Sequence, residues 1–153
     1  MEIARLWPDH CIQGTPGAKL IPELDISKLD HVVQKGQDTR VEMYSAFRDP
    51  FKSPCVVQSN LSALLKEASI SHVYVVGLAT DYCVKQTALH SVEDGYVTFV
   101  VEEATKAVDQ NEDALLTLKK ELELSSVVYI SFSGTEVDQV RERTENAGTG
   151  MET

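Results

Sequence analysis

The amino-acid sequence predicts an α/β fold built on a parallel β-sheet. Between about residues 31 and 130, short β-branched and apolar runs alternate with segments of helical periodicity. The run at 72–76 is apolar on both sides of the pleat and ends at Gly77, which is typical of a strand buried on both faces. Strands and helices that alternate at this spacing form βαβ units with right-handed crossovers.

Composition limits the class of protein further. The chain has 153 residues, which predicts one domain, and 42% hydrophobic with 25% charged residues is typical of a globular protein. A net charge of −10 argues against nucleic acid as a partner, because that affinity comes mainly from Lys and Arg. No apolar run approaches the roughly 20 residues of a membrane span, and the start has no apolar signal core. Three cysteines, an odd number, indicate reduced thiols, so we expect a cytoplasmic or nuclear protein. A homo-oligomer stays open.

The first predicted elements are a strand, a helix and the buried strand described above. Residues 31–34 are a short β-branched run before the turn residue Gly36. A helix over 60–69 begins at Asn60 or Ser59, either of which can cap it. One face of this helix is apolar and consists of Leu61, Leu64, Leu65 and Ala68.

A second helix follows the strand at 72–76 and precedes another strand. Asp81 comes directly before helical periodicity over 82–93, and Asp94–Gly95 supplies a glycine C-cap. The next strand is predicted over 96–101, where β-branched and aromatic residues are continuous.

The last predicted helix starts at Asn111, and the last strand covers 127–130. The buried stripe of that helix consists of Ala114, Leu115, Leu118 and Leu122. Residues 134–153 are polar and rich in Gly, Thr and Glu, so we expect a disordered tail. Residues 1–30 are rich in Pro and Gly and are predicted to be mostly loop.

Cys83 has the most informative surroundings of the three cysteines. It follows the C-terminal end of a predicted buried strand and lies in the first turn of a helix, at the sheet edge where α/β proteins bind ligands. The helix N-terminus favours a thiolate, and its N–H groups can receive the oxyanion that forms when a thiolate attacks a carbonyl. The alternative is a small buried side chain, the usual role of a free cysteine. Cys11 and Cys55, in loops, are interpreted as ordinary thiols.

Three segments together resemble one family. Residues 76–88 read VGLATDYCVKQTA and resemble the nucleophile motif of the isochorismatase-like cysteine hydrolases. Residues 7–11 read WPDHC, with GTPG at 14–17, and resemble the metal loop of the nicotinamidase branch. Lys35–Gly36, followed by YSAF at 44–47, resembles the catalytic-lysine segment of that branch.

The resemblance implies a chemical role for Cys83 and its neighbours. Cys83 would attack the amide carbonyl of nicotinamide and form a thioester while ammonia leaves, which is a step of NAD salvage. Lys35 would be the counter-ion of the thiolate, although without the motif it would be interpreted as a solvated surface charge. The oxyanion hole would use backbone N–H groups at Cys83 and at a non-proline cis peptide, which maps to Leu78–Ala79.

The resemblance also implies a metal and an aromatic binding site. His10 matches a ligand of a divalent, zinc-like ion that holds the pyridine nitrogen, and Trp7, Tyr44 and Tyr82 match the residues around the pyridine ring. One histidine is not a metal site, and by itself His10 would be interpreted as a loop histidine. The three aromatic residues would otherwise be interpreted as packing residues.

Two other chemical candidates are weaker. His90 lies about two turns, or 10 Å, along the helix from Cys83, too far to act as its base, so a papain-like Cys–His pair is not supported. Glu102 and Glu103 follow a predicted strand and are interpreted as a solvated carboxylate pair.

The resemblance covers only part of the family's pattern. That family has a three-layer, Rossmann-like sheet in the order 3-2-1-4-5-6, and residues 1–133 match strands 3 to 6, about four strands with flanking helices. No match to the general-base Asp or the Asp-x-His metal motif precedes Trp7. We therefore expect an inactive or incomplete nicotinamidase-like chain in which the strand at 72–76 has an unpaired edge. The alternative is a non-catalytic interaction module derived from such a hydrolase.

Overall fold

The computed structural model describes residues 7–148, with side chains through residue 142. It divides between Val32 and Val33 into two compact units, whereas the sequence predicts one domain over residues 1–133. The described part of the first unit is mostly loop, as predicted, with single 3₁₀ turns at Pro16–Ala18 and Ile26–Lys28. The Asp25 carboxylate caps the second turn by accepting a hydrogen bond from the backbone N–H of Ser27 at 3.2 Å.

The second unit contains a three-stranded parallel sheet with four α-helices. The elements are α1 (Leu61–Glu67), β1 (His72–Leu78), a π-helical turn (Thr80–Val84), α2 (Lys85–Glu93), β2 (Val97–Lys106), α3 (Glu112–Leu124), β3 (Val127–Ile130) and α4 (Thr135–Gly148). The strands are ordered β1-β2-β3, with Val75 beside Val100 and Val100 beside Tyr129. The predicted α/β class with a parallel sheet is therefore confirmed.

The start of α3 and the end of α2 have the local chemistry that the sequence predicts, whereas the Asn60 side chain makes no cap hydrogen bond at the start of α1. The Asn111 side chain accepts hydrogen bonds from the backbone N–H groups of Asp113 and Ala114, which satisfies two free donors at the start of α3. Gly95 ends α2 with a φ of +93°, a backbone conformation that favours glycine. Its N–H donates to the carbonyl of Val92 at 2.9 Å.

The core lies between the sheet and helices α2 and α3. Alternate strand residues point into it, and Val84 from the π-helical turn and Ala88 from α2 pack against them. The buried cluster consists of Val75, Val84, Ala88, Val100, Leu118, Leu122 and Val127. Val76, Val97 and Val128 are exposed on the strands. Within residues 7–148, β1 pairs only with β2, so β1 is an edge strand.

The predicted strand at 31–34 is wrong, so the described sheet has three strands rather than about four. Residues 31–34 have no ladder partner, and the boundary between the two units falls inside this run. Sequence pattern alone does not reveal whether a neighbouring strand is available to complete the ladder.

The segment after residue 134 also differs from the expected disordered tail, because Thr135–Gly148 forms α4. Acidic residues Glu136 and Asp138 occupy its first turn, where they interact favourably with the helix dipole. Arg141 pairs with Asp138 at 2.9 Å, and its guanidinium carbon lies 4.7 Å from the centre of the Phe132 ring. Residues 149–153 of the predicted tail lie outside the described residues.

No helix within residues 7–148 has both the length and the apolar character that crossing a membrane requires.

Candidate active site

Cys83 lies in the turn that joins β1 to α2. Sequence pattern predicts an ordinary helix start there, but residues Thr80–Val84 form a wider π-helical turn. The carbonyl of Ala79 accepts hydrogen bonds from the N–H groups of both Tyr82 and Val84, at 3.1 and 3.0 Å. Cys83 is half-buried in this turn. π-helical turns are rare and often occur at functional sites.

A lysine from another part of the unit reaches the sulfur of Cys83. The Nζ of Lys35 lies 3.4 Å from Sγ of Cys83 and donates a second hydrogen bond to the Met43 carbonyl at 3.0 Å. The carbonyl fixes an ammonium that would otherwise move on a flexible four-carbon stem. An ammonium at this distance stabilises a thiolate relative to a neutral thiol. The structure therefore brings together two residues that only the family resemblance connected.

The peptide bond between Leu78 and Ala79 is cis, which agrees with the geometry that the resemblance implies. It lies at the end of β1, directly before the turn that carries Cys83. Its use in an oxyanion hole stays a prediction.

Two of the three predicted aromatic residues are neighbours. The ring centroids of Tyr44 and Tyr82 lie 5.5 Å apart, with the ring planes tilted by 56°. Trp7 belongs to the first unit, where its ring makes an edge contact with His10 at 6.4 Å. Tyr44 and Tyr82 thus form an aromatic pair in the unit that carries Cys83 and Lys35.

His10 has a hydrogen bond that suits a metal ligand, but the described side chains do not complete a site. Its Nδ1 lies 2.7 Å from the Pro8 carbonyl, which can only accept, so Nδ1 carries a proton and Nε2 is the nitrogen that a metal would use in the neutral ring. Among the side chains of residues 7–142, no group of three His, Cys, Asp or Glu is arranged to hold a metal ion. The described residues therefore do not fit the zinc-like ion that the resemblance implies.

Asp81 has a structural role that sequence analysis missed. Its carboxylate accepts hydrogen bonds from the backbone N–H groups of Val108 and Asp109, both at 2.9 Å. These bonds tie the turn that carries Cys83 to the loop after β2. The position of Asp81 near Cys83 suggested a helix start, but its partners are 27 and 28 residues away and leave no local signal.

Cys55 faces a carboxylate rather than an ammonium. Its thiol lies 3.5 Å from Oδ2 of Asp49 and 3.3 Å from the Val57 carbonyl. Loss of water around the sulfur, together with the Asp49 carboxylate, raises the pKa of Cys55 above its ordinary value. This agrees with the interpretation of Cys55 as an ordinary thiol.

Asp49 is 1% exposed and organises the loop around Cys55. Burial acts to raise the pKa of this carboxyl, but hydrogen bonds from the backbone N–H groups of Val57, Phe51 and Val56 outweigh burial and lower it. The sequence gives no hint of this role, because an aspartate before a proline is typical of an exposed turn.

The other titratable candidates belong to the scaffold. His90 is buried on α2; burial, followed by the nearby Arg48 cation, lowers its pKa. Arg48 itself pairs with Glu93 and Asp94, both at 2.7 Å. His90 thus lies in a packed region of α2, in agreement with its exclusion as the base.

Glu102 and Glu103 are both exposed, in agreement with their interpretation as a solvated carboxylate pair, and each also has a partner at the surface. Glu102 pairs with Lys119 at 3.1 Å, while Glu103 accepts hydrogen bonds from the Ser131 hydroxyl at 2.6 Å and the Phe132 N–H at 2.8 Å. Both carboxylates therefore connect β2 to the elements beside it.

Comparison with known proteins gives a consistent picture. The family model for the isochorismatase domain matches residues 2–126. The chain is 40% identical over 106 residues to a nicotinamidase of Acinetobacter baylyi, a match that covers 69% of this chain and 48% of the relative. It is 39% identical over 101 residues to a nicotinamidase of Schizosaccharomyces pombe, covering 66% of this chain and 44% of the relative. The chain spans about half the length of these curated relatives.

Solved structures show the same similarity. A yeast nicotinamidase bound to the inhibitor nicotinaldehyde superposes with a TM-score of 0.77 at 30% identity, over 84% of this chain and 59% of that one. A pyrazinamidase of Pyrococcus horikoshii in complex with zinc superposes with a TM-score of 0.67 at 26% identity, over 83% of this chain and 64% of that one.

Proposed function

This chain belongs to the isochorismatase family, and on that premise we propose that it is a nicotinamidase-type amide hydrolase with Cys83 as its nucleophile. The observation that carries the proposal is the 3.4 Å contact between Lys35 Nζ and Cys83 Sγ at the end of β1. The net reaction converts nicotinamide and water into nicotinate and ammonia.

The first half-reaction forms a thioester. The Cys83 thiolate attacks the amide carbonyl carbon, a C–S bond forms, and the carbonyl electron pair moves onto oxygen. Backbone N–H groups at Cys83 and Ala79 are the proposed donors to this oxyanion. When the carbonyl re-forms, the C–N bond breaks, and the leaving nitrogen takes a proton from solvent water and departs as ammonia.

The second half-reaction regenerates the thiolate. Water attacks the thioester carbonyl and loses its two protons to the solvent, the C–S bond breaks, and nicotinate leaves. The sulfur regains its negative charge beside Lys35, whose ammonium is already held by Met43 and needs no reorientation. Lys35 thus acts as a fixed counter-ion in both half-reactions.

The aromatic pair supplies the proposed substrate preference. Tyr44 and Tyr82 present two rings beside the nucleophile segment, which suits a flat pyridine ring better than an aliphatic amide. Trp7 is proposed as a third ring contact. His10 could give one nitrogen to a divalent metal such as zinc, but because the described residues complete no site, no step above passes through a metal.

The cellular setting follows from the same chemistry. The reaction removes nicotinamide and supplies nicotinate for NAD salvage. Cys83 must stay a thiol to act, and all three cysteines are free, so we place the protein in the reducing cytoplasm.

The test uses nicotinaldehyde, the inhibitor present in the yeast structure. A thiolate adds to an aldehyde carbon to give a thiohemiacetal, which requires no leaving group. We expect the chain with a carbonyl-labelled aldehyde to give a thiohemiacetal NMR signal, which Cys83→Ser loses and Cys55→Ser keeps. Benzaldehyde, which lacks the ring nitrogen, measures how much the pyridine contributes.

Absence of the adduct in the wild-type chain would favour the alternative, a non-catalytic interaction module. That the 153-residue chain alone releases no appreciable ammonia stays a prediction. Ammonia release from nicotinamide, with and without added zinc, measures turnover separately from adduct formation.

A further inference from the structure

We infer that Thr87 is a positioning residue that holds Lys35 against Cys83; the catalytic meaning of that pair rests on the function proposed above. Thr87 lies on α2, four residues after Cys83, and residues at this spacing share a helix face. Its Oγ1 accepts a hydrogen bond from the backbone N–H of Ala46 at 3.0 Å. The helix that follows the nucleophile is therefore bonded to a segment far away in sequence.

The hydroxyl of a threonine in a helix usually hydrogen-bonds to a carbonyl of the same helix, and Thr87 differs from this pattern. The hydroxyl of Thr117, on α3, donates to the carbonyl of Asp113 one turn earlier in its own helix, at 2.8 Å. Thr87 instead bonds 41 residues away. Thr117 therefore provides a matched control for Thr87.

The segment that Thr87 contacts is fixed on both sides. The Ala46 carbonyl accepts a hydrogen bond from the Ser59 hydroxyl at 2.6 Å, so both backbone polar groups of Ala46 are bound. Met43 and Phe47, which flank Ala46 in this segment, are 2% and 1% exposed. Such a buried, doubly bonded segment holds its backbone carbonyls in fixed positions.

The fixed segment in turn holds the lysine. Three residues before Ala46, the Met43 carbonyl accepts the hydrogen bond from Lys35 that aims the ammonium at Cys83. Thr87 is therefore connected to Lys35 through the segment that contains Ala46 and Met43. Lys35 in turn contacts Cys83, which lies four residues before Thr87. Loss of the Thr87 bond should let the segment shift, and with it the ammonium.

Alkylation of Cys83 by iodoacetamide at neutral pH tests this without requiring turnover. Mass spectrometry of peptides reports Cys83 and Cys55 separately in one sample. We expect Thr87→Val, which keeps the shape and removes the acceptor, to slow Cys83 alkylation about three- to tenfold, the range of one hydrogen bond. Thr87→Ser should restore the rate, and Thr117→Val should leave it unchanged. If the valine variant does not fold, Thr87→Ala gives the same comparison.

Lys35→Met separates the inference from the proposed function. In a Lys35→Met background, Thr87→Val should have no further effect, because its influence passes through the lysine. If Lys35→Met slows alkylation but Thr87→Val does not, the inference is overturned and the proposed ion pair stands. If Thr87→Val also slows Cys55, or acts equally without Lys35, its role is only structural and the inference is overturned. If Lys35→Met has no effect on Cys83 alkylation, both the inference about Thr87 and the proposed ion pair of Lys35 with Cys83 are overturned.

Discussion

Cys83 and Cys55 are two thiols in one compact unit that hydrogen-bond to side chains of opposite charge. Cys83 receives a hydrogen bond from the ammonium of Lys35 at 3.4 Å. Cys55 points its thiol at the carboxylate of Asp49 at 3.5 Å. Burial, together with the Asp49 carboxylate, raises the pKa of the Cys55 thiol.

We expect that exposure does not decide which of the two thiols reacts. Cys55 is exposed and Cys83 is half-buried, so accessibility alone would rank Cys55 as the more reactive. Since the thiolate is the nucleophile, we expect the sign of the neighbouring charge to reverse that order. The fold places each charge by backbone contacts, from Met43 to Lys35 and from the 51–57 loop to Asp49.

The largest expected effect separates the two cysteines by function. In a version extended upstream to the length of the relatives, Cys83→Ser should abolish ammonia release from nicotinamide, because a hydroxyl lacks the nucleophilicity of a thiolate, whereas Cys55→Ser should change it little. An assay of each variant across nicotinamide and aliphatic amides measures this. Equal losses in both variants would contradict the assignment of the nucleophile, and release from aliphatic amides only would contradict the substrate class.

The next effect concerns the charge beside Cys83. Lys35→Met keeps the length of the side chain and removes its charge, so we expect the nicotinaldehyde adduct to weaken about ten- to hundredfold. A titration of the adduct gives the change in affinity. The matched control is Lys52→Met, which removes an exposed ammonium that pairs with Glu93 at 3.5 Å; an equal loss there would show only a general effect of charge.

A smaller effect is expected at Cys55, the thiol beside a carboxylate. Asp49→Asn removes the negative charge beside Cys55, so the pKa of Cys55 should fall toward its ordinary value and its alkylation at mildly alkaline pH should quicken a few-fold. The rate at Cys83 in the same sample is the internal control. Unchanged alkylation of Cys55 would show that Asp49 does not control this thiol.

The smallest effect is a pH dependence confined to the Cys55 loop. The pKa of Asp49 lies below its ordinary value of 3.8, so its contribution to stability is present above that value and is lost as the pH falls through the lowered pKa. The amide NMR signals of Phe51 and Val56, which donate to Asp49, should shift with a midpoint below 3.8. Asp49→Asn should remove this shift, and a midpoint above 3.8 would contradict the account.

Sequence pattern was sufficient where local chemistry decides the structure. The strand at 127–130 and the helix capped by Asn111 occur where they are predicted, because apolar periodicity and a side-chain cap act within a few residues. The strand at 31–34 fails because a strand needs a partner, and the expected tail over 135–148 fails because Arg141 and its contacts support a helix.

The candidate site was also predictable from the sequence only in part. The position of Cys83 directly after a strand is readable from sequence, although β1 is an edge strand and not buried on both faces, but the partner Lys35 lies 48 residues away and only the family resemblance indicated it. Asp49 and Asp81 were not recognised, because their partners are backbone N–H groups whose positions the fold determines. Long-range polar contacts of this kind leave no periodic signal.

The most direct test of the central claim is the order in which the cysteines react. A limiting amount of iodoacetamide is added to the wild-type chain at neutral pH, and peptide mass spectrometry measures the labelled fraction of Cys83 and of Cys55. We expect Cys83 to be labelled before Cys55 although Cys83 is less exposed, and we expect Lys35→Met to abolish this difference in rate. Labelling of Cys55 first in the wild-type chain, or a lead of Cys83 that survives the loss of Lys35, would contradict the central claim.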